Sequence, residues 1–100
     1  MRFEWDENKN LANITKHKVS FELAKLVFED PHQISVFDRT ADGKERYHTL
    51  GYALNKELLV VTHTHRHKDQ EEITRIISAR RAEPRVRRSY HEKAINRRTT

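Results

Sequence analysis

The stretch ELLVVTHTHRHKDQEEITRIISA, residues 57–79, decides the fold of this chain. Leu58–Val61 is continuously apolar, which is typical of a central strand covered on both faces. The polar run Arg66–Asp69 indicates a turn, and the pattern over Glu72–Ala79 predicts the last strand. Because strands joined by a short turn pair side by side, we expect an antiparallel hairpin at the centre of a sheet.

Two further strand patterns precede this hairpin. One is Ile34–Phe37, and the other is Arg46–Tyr52, in which apolar and polar residues alternate. Asp42–Gly43 is a turn signal between these two patterns, and Asn55–Lys56 marks the turn into the central strand. Gly51 lies inside an alternating pattern, a position where glycine often marks a bulge.

The N-terminal third predicts a short strand and two helices. Arg2–Trp5 alternates, and Asp6 can cap a helix over Glu7–His17. Ser20 is the candidate cap of a second helix, which Pro31 ends because proline disfavours helical geometry in the residue before it. The apolar face of this second helix consists of Leu23, Ala24, Val27 and Phe28.

Pro84 suits the first turn of a closing helix, and the predicted element order is therefore β-α-α-β-β-β-β-α. We expect an α+β domain with a mostly antiparallel sheet of four to five strands, two N-terminal helices and one C-terminal helix, all on one face of the sheet. The domain is predicted to span residues 1–94, followed by a frayed basic tail over residues 95–100.

Length and composition limit the possible functions. The chain has 100 residues, which predicts one domain, and no cysteine, which excludes disulfides and thiolate chemistry. It has no apolar run of the roughly 20 residues that span a bilayer. Because no apolar secretion segment opens the sequence, we expect a cytoplasmic protein. We predict no membrane partner and no cofactor.

Positive charge is concentrated at the C-terminal end. Residues 75–98 contain nine Lys and Arg residues against two acids, whereas the whole chain has a net charge of only +5. Such a segment favours binding to a polyanion, since the planar guanidinium group of arginine matches the geometry of a phosphate group. An acidic protein partner and a solvated basic helix are the alternatives, and a membrane surface is disfavoured because the segment lacks a strong apolar face.

A group of residues at the end of the last predicted strand could hold a phosphate. Arginine stabilises the extra charge that develops during phosphodiester cleavage and needs no metal to do so. The alternative role for Arg75 is an ion pair with Glu71 or Glu57. Arg46, on a neighbouring strand pattern, could line the same surface. The group consists of Arg75, Ser78, Arg80 and Arg81.

Three other positions could transfer protons or bind metal. His17, next to Lys16, could be a general base or simply a cation at the C-terminus of a helix. Tyr90 could be catalytic or part of the core. His63 and His65 share one face of a strand and could bind a metal, but we interpret them as strand-end histidines on a solvated or RNA-facing surface, so no metal site is predicted.

Metal-free RNA cleavage requires a base, a charge stabiliser and a proton for the leaving oxygen. The candidates above could supply these groups, so a metal-independent endoribonuclease is one hypothesis, but the spacing of the residues alone does not specify the reaction. A binding module without catalytic activity, which uses the same arginines, is the alternative.

Short motifs along the chain also resemble the BrnT toxin family. Their order and spacing are specific, and together they cover residues 2–92. The motifs are Phe3–Asp6, Lys9, Asn13, Lys16–His17, Val19–Phe21, Phe28, Asp30–Pro31, Glu45–Arg46, Leu50–Gly51, Arg75–Ala82 and Tyr90.

This resemblance implies a RelE-like fold and a ribonuclease toxin of a type II toxin–antitoxin module that inhibits translation. It implies a BrnA-like antitoxin with a ribbon-helix-helix domain, a toxin2–antitoxin2 complex, and operator DNA bound indirectly through the antitoxin. The chain departs from the family pattern at Lys18, where glycine is usual, and at Val86, where an acid is usual.

Combining the resemblance with the charge pattern gives two sets of candidate site residues. The expected catalytic residues are His17, Arg75, Arg80, Arg81 and Tyr90. The expected RNA-binding residues are Lys16, Arg46, Ser78, Arg85, Arg87 and Arg88.

Overall fold

The computed structural model describes residues 1–54 and 57–99, with side chains described up to residue 94. The strands in these residues are β1 (Arg2–Glu4), β2 (Ile34–Ala41), β3 (Lys44–Ala53), β4 (Glu57–Lys68) and β5 (Glu71–Arg81). The helices are α1 (Glu7–His17), α2 (Phe21–Ala24) and α3 (Pro84–Thr99), and a 3₁₀ helix over Lys25–Glu29 continues α2.

The five strands form one sheet in the order β1-β5-β4-β3-β2. The neighbours from β2 to β5 pair antiparallel, with Val61 of β4 between Thr49 of β3 and Ala79 of β5. Strand β1 pairs in parallel with β5 and places Glu4 opposite Arg75. The predicted α+β class with a mostly antiparallel sheet is therefore confirmed.

Both predicted caps begin helices in the structure. The side chain of Asp6 accepts hydrogen bonds from the backbone N–H groups of Asn8 and Lys9, at 2.8 and 3.3 Å. The Ser20 hydroxyl accepts one from the backbone N–H of Leu23 at 3.1 Å. These oxygens satisfy backbone donors that have no partner inside a helix. The second helix is α-helical for only one turn and then tightens into the 3₁₀ helix, which ends at Glu29.

The hairpin turns lie where the backbone adopts left-handed geometry. Asp42–Gly43 has φ angles of 52° and 75°, which confirms the predicted turn between β2 and β3. The turn between β4 and β5 is Asp69–Gln70, with φ angles of 53° and 67°. The turn predicted over Arg66–Asp69 therefore begins too early, because the polar residues up to Lys68 remain paired with β5.

Helices cover both faces of the sheet. On one face, Leu59 and Val61 of β4 belong to the core cluster that includes Val27 of the 3₁₀ helix. On the other face, Leu58 and Val60 pack with residues of α3. The expectation that all helices lie on one face is wrong, because a continuously apolar strand requires cover on both sides.

Two buried asparagines attach α1 to the rest of the fold. The Asn13 amide donates to the carbonyls of Val19 and Ala79, both at 2.8 Å, and its oxygen accepts from the N–H of Ala79 at 3.2 Å. Asn10 accepts from the N–H of Phe21 at 2.8 Å. The side chain of Asn13 thus pairs with β5 beyond the end of β1, where backbone groups would otherwise lack partners.

Gly51 does not mark a bulge. Its pairing with Leu59 is regular, and the two register shifts of the sheet lie at Phe37–Arg39 in β2 and beside Thr62 and His63 in β4. A Cβ atom on Gly51 would lie 2.9 Å from a methyl carbon of Val27. Glycine is needed here because the 3₁₀ helix approaches β3 closely.

Two predictions fall at the limits of the described chain. The turn predicted at Asn55–Lys56 lies outside the described residues. The predicted tail, residues 95–100, falls where the backbone of residues 95–99 is helical and no side chain is described. The predicted domain boundary at residue 94 therefore stays a prediction.

Candidate functional site

Arg75 extends from β5 and is paired with a carboxylate. Its Nη1 donates to Glu4 Oε2 at 3.0 Å. The ion pair that the sequence offered as an alternative to a phosphate clamp is present, but its partner is Glu4 instead of Glu71 or Glu57. The partner differs because β1 pairs in parallel with β5, which the sequence pattern does not predict.

Glu4 holds two arginines at once. Arg66 of β4 donates to both carboxylate oxygens, with its Nη2 at 2.8 Å from Glu4 Oε1. The hydrogen bond from Arg66 is the main cause that lowers the pKa of Glu4 to about 2, and the hydrogen bond from Arg75 adds to it against a partial desolvation. The charged carboxylate therefore orients the guanidinium of Arg75, whose side chain stays 38% exposed.

A small cleft of about 150 Å³ beside Arg75 collects cationic side chains from three elements. Thr64 of β4, the direct partner of Arg75, also lines it, together with the acid Asp42. The cations of this cation cleft are Lys9, Lys44, Arg46 and Arg75. The first three form no ion pair within the part of the chain whose side chains are described. The cation cleft can therefore bind an anion such as a phosphate group.

A larger cleft of about 720 Å³ is lined by residues of the 3₁₀ helix, α3 and β3. Asp30 lines this large cleft and accepts hydrogen bonds from the hydroxyl of Tyr90 at 2.6 Å and from the N–H groups of Tyr52 and His32, each at 2.8 Å. Burial alone would raise the pKa of Asp30, but these three donors outweigh it and hold the pKa below its ordinary value.

The predicted catalytic residue Tyr90 therefore lies in the large cleft and does not line the cation cleft. Its side chain is only 4% exposed, and its ring packs edge-on against Tyr52. The hydroxyl of Tyr52 in turn is 2.7 Å from Nε2 of His91. The polar groups around Tyr90 thus bond mainly to each other, which is typical of a structural junction, and the catalytic role of Tyr90 stays a prediction.

The other predicted site residues do not line either of these two clefts. His17 is half-buried at the end of α1, Ser78 is half-buried on β5, and Arg80 is exposed. Arg81 is exposed and donates to Glu57, with its Nε at 2.8 Å from Oε2. The remaining predicted cations, all exposed, are Lys16 on α1 and Arg85, Arg87 and Arg88 on α3.

The structure corrects the interpretation of the histidines on β4. His63 and His65 do share a face, with ring centroids 4.6 Å apart, but His63 is completely buried against Phe28. Burial is the main cause that lowers the pKa of His63 to about 3, so the ring is neutral near physiological pH. No group of three potential metal ligands occurs among the described residues.

Sequence reasoning missed several residues around Arg46 and Arg75. Lys9 and Lys44 come from a helix and from the start of β3, and no local motif connects them with the arginines. His48 was also missed, although it lies two residues after Arg46 on the same strand. Period-two spacing after Arg46 was the one available signal, because it puts His48 on the same face.

A five-stranded sheet with helices on both faces and a cationic cleft at its surface defines a small α+β protein. The profile of a family described as "Ribonuclease toxin, BrnT, of type II toxin-antitoxin system" matches residues 5–85. Since this match spans most of the sequence, the chain belongs to the BrnT family of ribonuclease toxins, and the resemblance inferred from its motifs is confirmed.

The fold is also similar to that of a solved structure, the Brucella abortus ribonuclease toxin BrnT. The two chains are 22% identical with a TM-score of 0.58, and the match covers 83% of this chain and 97% of that one. At this level of identity the similarity establishes the fold. No curated protein matches the sequence. In the described residues, no helix has the length and apolar character needed to cross a bilayer.

Proposed function

We propose that this chain is a metal-independent endoribonuclease that inhibits translation by cutting RNA, and that the cation cleft holds the phosphate to be cleaved. The observation that carries this proposal is the convergence of four cations on one small cleft, three of them without an ion pair among the described side chains. Membership of a ribonuclease toxin family supports an RNA substrate.

Two arginines of the cleft have the chemistry to stabilise the transition state. Attack of a ribose 2′-hydroxyl on the neighbouring phosphate places extra negative charge on the phosphate oxygens, and donors fixed in advance are most effective there. Glu4 fixes Arg75 in this way, while Arg46 lines the same cleft from β3. We therefore assign charge stabilisation to Arg46 and Arg75.

The exposed cations outside the cleft would bind the rest of the RNA. Arg80 and Arg81 end β5, and α3 begins only three residues after Arg81, so a basic surface continues from the sheet onto the helix. Contacts from such side chains to phosphates add salt-dependent affinity. The exposed cations assigned to this role are Lys16, Arg80, Arg81, Arg85, Arg87 and Arg88, and the half-buried Ser78 of β5 is assigned with them as a hydroxyl donor.

The partner we propose is a BrnA-like antitoxin with a ribbon-helix-helix domain. It would neutralise the toxin in the cytoplasm, form a toxin2–antitoxin2 complex, and carry the toxin to operator DNA. Family membership in a type II system supports an antitoxin partner. Size and light scattering of the co-expressed pair test this stoichiometry.

A second candidate function is a binding module without catalytic activity. The Glu4–Arg75 ion pair favours it, because this pair already neutralises one cation of the cleft. The same cations would then bind RNA or antitoxin without cutting RNA.

The test is cleavage of end-labelled RNA by the purified chain in EDTA, first without ribosomes and then with them. We expect the wild type to cut RNA and Arg75→Ala to cut it about 10²–10³-fold more slowly. Arg2→Ala, which removes an exposed arginine that lines neither cleft, is the matched control and should cut normally. Intact RNA with the wild type under both conditions would leave only the binding function.

A further inference from the structure

One histidine beside the cation cleft is held between a carboxylate and a hydroxyl. Nε2 of His48 lies 3.3 Å from Asp38 Oδ1, and its Nδ1 lies 3.0 Å from Thr62 Oγ1. The three residues come from β3, β2 and β4. The side chain of His48 is 30% exposed, so a ligand on the sheet can reach the ring.

Both irregularities of the sheet lie next to this histidine. In β2 the register shifts between Phe37 and Arg39, so Asp38 is the extra residue of a bulge, and its carboxylate faces His48. The second shift follows Thr62, where Ile77 of β5 is the unpaired residue. Bulges frequently redirect side chains next to active sites, which agrees with a functional arrangement here.

His48 lies on the same face of the sheet as the cation cleft and next to it along β3. On β3, His48 follows Arg46 by two residues, and on β4, Thr62 precedes Thr64 by two. Residues two apart on a strand point to the same face, about 7 Å from each other. A phosphate in the cation cleft would therefore place its ribose hydroxyl within reach of the His48 ring.

We propose that His48 is the general base of RNA cleavage, an inference that rests on the proposed ribonuclease function. The carboxylate of Asp38, 3.3 Å from Nε2, favours the tautomer with its proton on Nε2, and in that tautomer the lone pair of Nδ1, to which the Thr62 hydroxyl donates in the free protein, is the basic site. Nδ1 takes the proton of the 2′-hydroxyl as the 2′-oxygen bonds to phosphorus. The bond from phosphorus to the 5′-oxygen breaks, and that oxygen takes a proton from water. The products are a 2′,3′-cyclic phosphate and a 5′-hydroxyl, and His48 returns its proton to water.

The neighbouring histidines do not have this geometry. His63 is completely buried, and its Nε2 bonds to the hydroxyl of Thr49. His65 lies on the face of His63, and its carboxylate and hydroxyl neighbours, Glu72 at 3.5 Å and Thr74 at 2.9 Å, both contact the same nitrogen, Nδ1. Among these three histidines, only His48 shares a face with Arg46.

The test is RNA cleavage by His48→Ala with and without added imidazole, beside the wild type, Arg75→Ala and His67→Ala. We expect His48→Ala to cut RNA about 10²–10⁴-fold more slowly while it still binds RNA, and imidazole to restore part of the rate. Imidazole cannot restore Arg75→Ala. His67 is an exposed histidine of the neighbouring strand β4 and lines neither cleft, so His67→Ala should cut normally. Circular dichroism confirms the fold of each variant, and His48→Gln, which can still bond to Thr62, should also be slow.

Each other outcome has a distinct meaning. If Arg75→Ala is slow and His48→Ala cuts at the wild-type rate, the role of His48 is overturned and the ribonuclease function stands. A folded His48→Ala variant that is slow but gains nothing from imidazole also overturns the role, because His48 would then act only on the structure. If the wild type leaves RNA intact with and without ribosomes, both proposals fail.

Discussion

The two clefts of this protein use their polar groups in opposite ways. In the large cleft, Asp30 accepts three hydrogen bonds from protein donors, and Tyr52 bonds to His91. In the cation cleft, which has about a fifth of that volume (about 150 against 720 Å³), Lys9, Lys44 and Arg46 have no ion-pair partner among the described side chains. Volume alone would select the large cleft as the site.

The proposed site is therefore selected by its cations without carboxylate partners and not by its volume. A carboxylate whose donors all come from the protein joins secondary structures, and here Asp30 connects the 3₁₀ helix, β3 and α3. Cations that lack carboxylate partners can bind an external anion instead. We therefore expect substitutions in the large cleft to reduce stability and substitutions in the cation cleft to reduce activity.

We expect the largest effect on the rate of RNA cleavage, which tests whether the cation cleft serves activity and the large cleft serves stability. Arg46→Ala should slow cleavage about 10²–10³-fold with the thermal midpoint nearly unchanged, because the arginine stabilises charge on the phosphate. Tyr90→Phe should keep the wild-type rate and lower the midpoint, because it removes only the hydroxyl that bonds to Asp30. Rates on end-labelled RNA and melting curves of both variants check this. Slow cleavage by a folded Tyr90→Phe variant would reverse the assignment of the two clefts.

The next effect is on stability at Asp30. Asp30→Ala leaves three donors without their acceptor and should lower the free energy of unfolding by about 3 kcal/mol, with cleavage retained below the melting temperature. Urea unfolding of the variant and the wild type measures the difference. A loss of cleavage at temperatures where Asp30→Ala is folded would contradict a purely structural role.

The same carboxylate predicts the direction of a pH dependence. The pKa of Asp30 is lower in the folded protein than in the unfolded chain, where it is about 4. Its stabilisation is therefore complete above the unfolded value and disappears as the pH falls through the folded value. Unfolding of wild type and Asp30→Asn from pH 6 to 2 should show a smaller loss for the variant. Parallel curves would show that other carboxylates, such as Glu4, dominate.

Much of the fold follows from local sequence signals. The caps Asp6 and Ser20 and the turn Asp42–Gly43 act through their immediate neighbours, and all three occur in the structure as predicted. The parallel pairing of β1 and the position of α3 do not follow from local signals, because they depend on contacts between distant segments. That is why the sequence supplied the wrong partner for Arg75 and put α3 on the wrong face.

The candidate site was only partly predictable for the same reason. Arg46 and Arg75 are evident because arginine on strand patterns requires a partner or a ligand. Lys9 joins them only through the packing of α1, and Asp38 reaches His48 only because β2 has a bulge that no glycine marks. Conversely, the alternating histidines attract attention in the sequence, yet His63 lies in the core.

A smaller loss of stability is expected for a substitution at Gly51 of β3, which lies close to Val27 and to Asp30 of the large cleft. Gly51→Ala would place a methyl group 2.9 Å from Val27 Cγ1 and 3.2 Å from Asp30 Oδ2, so the 3₁₀ helix must shift. We expect a loss of about 1–3 kcal/mol in the free energy of unfolding. Gly43→Ala is a useful comparison, since nothing lies near its Cβ position and only its φ of 75° opposes the change. Equal losses for the two variants would show that the close approach at Gly51 has little energetic weight.

The smallest effect on stability is expected at Lys18, the residue that follows the C-terminal end of α1. Lys18 has a φ of 60°, a conformation that glycine adopts more readily than residues with a Cβ atom, and its N–H still bonds to the carbonyl of Ile14 at 2.9 Å. Lys18→Gly should therefore raise the free energy of unfolding by up to about 1 kcal/mol in spite of the greater flexibility of the unfolded chain. Lys18 lines neither cleft, so cleavage should not change. A change in cleavage with this substitution would extend the functional surface to the loop after α1, where the family usually has glycine, and the division between the two clefts would then be incomplete.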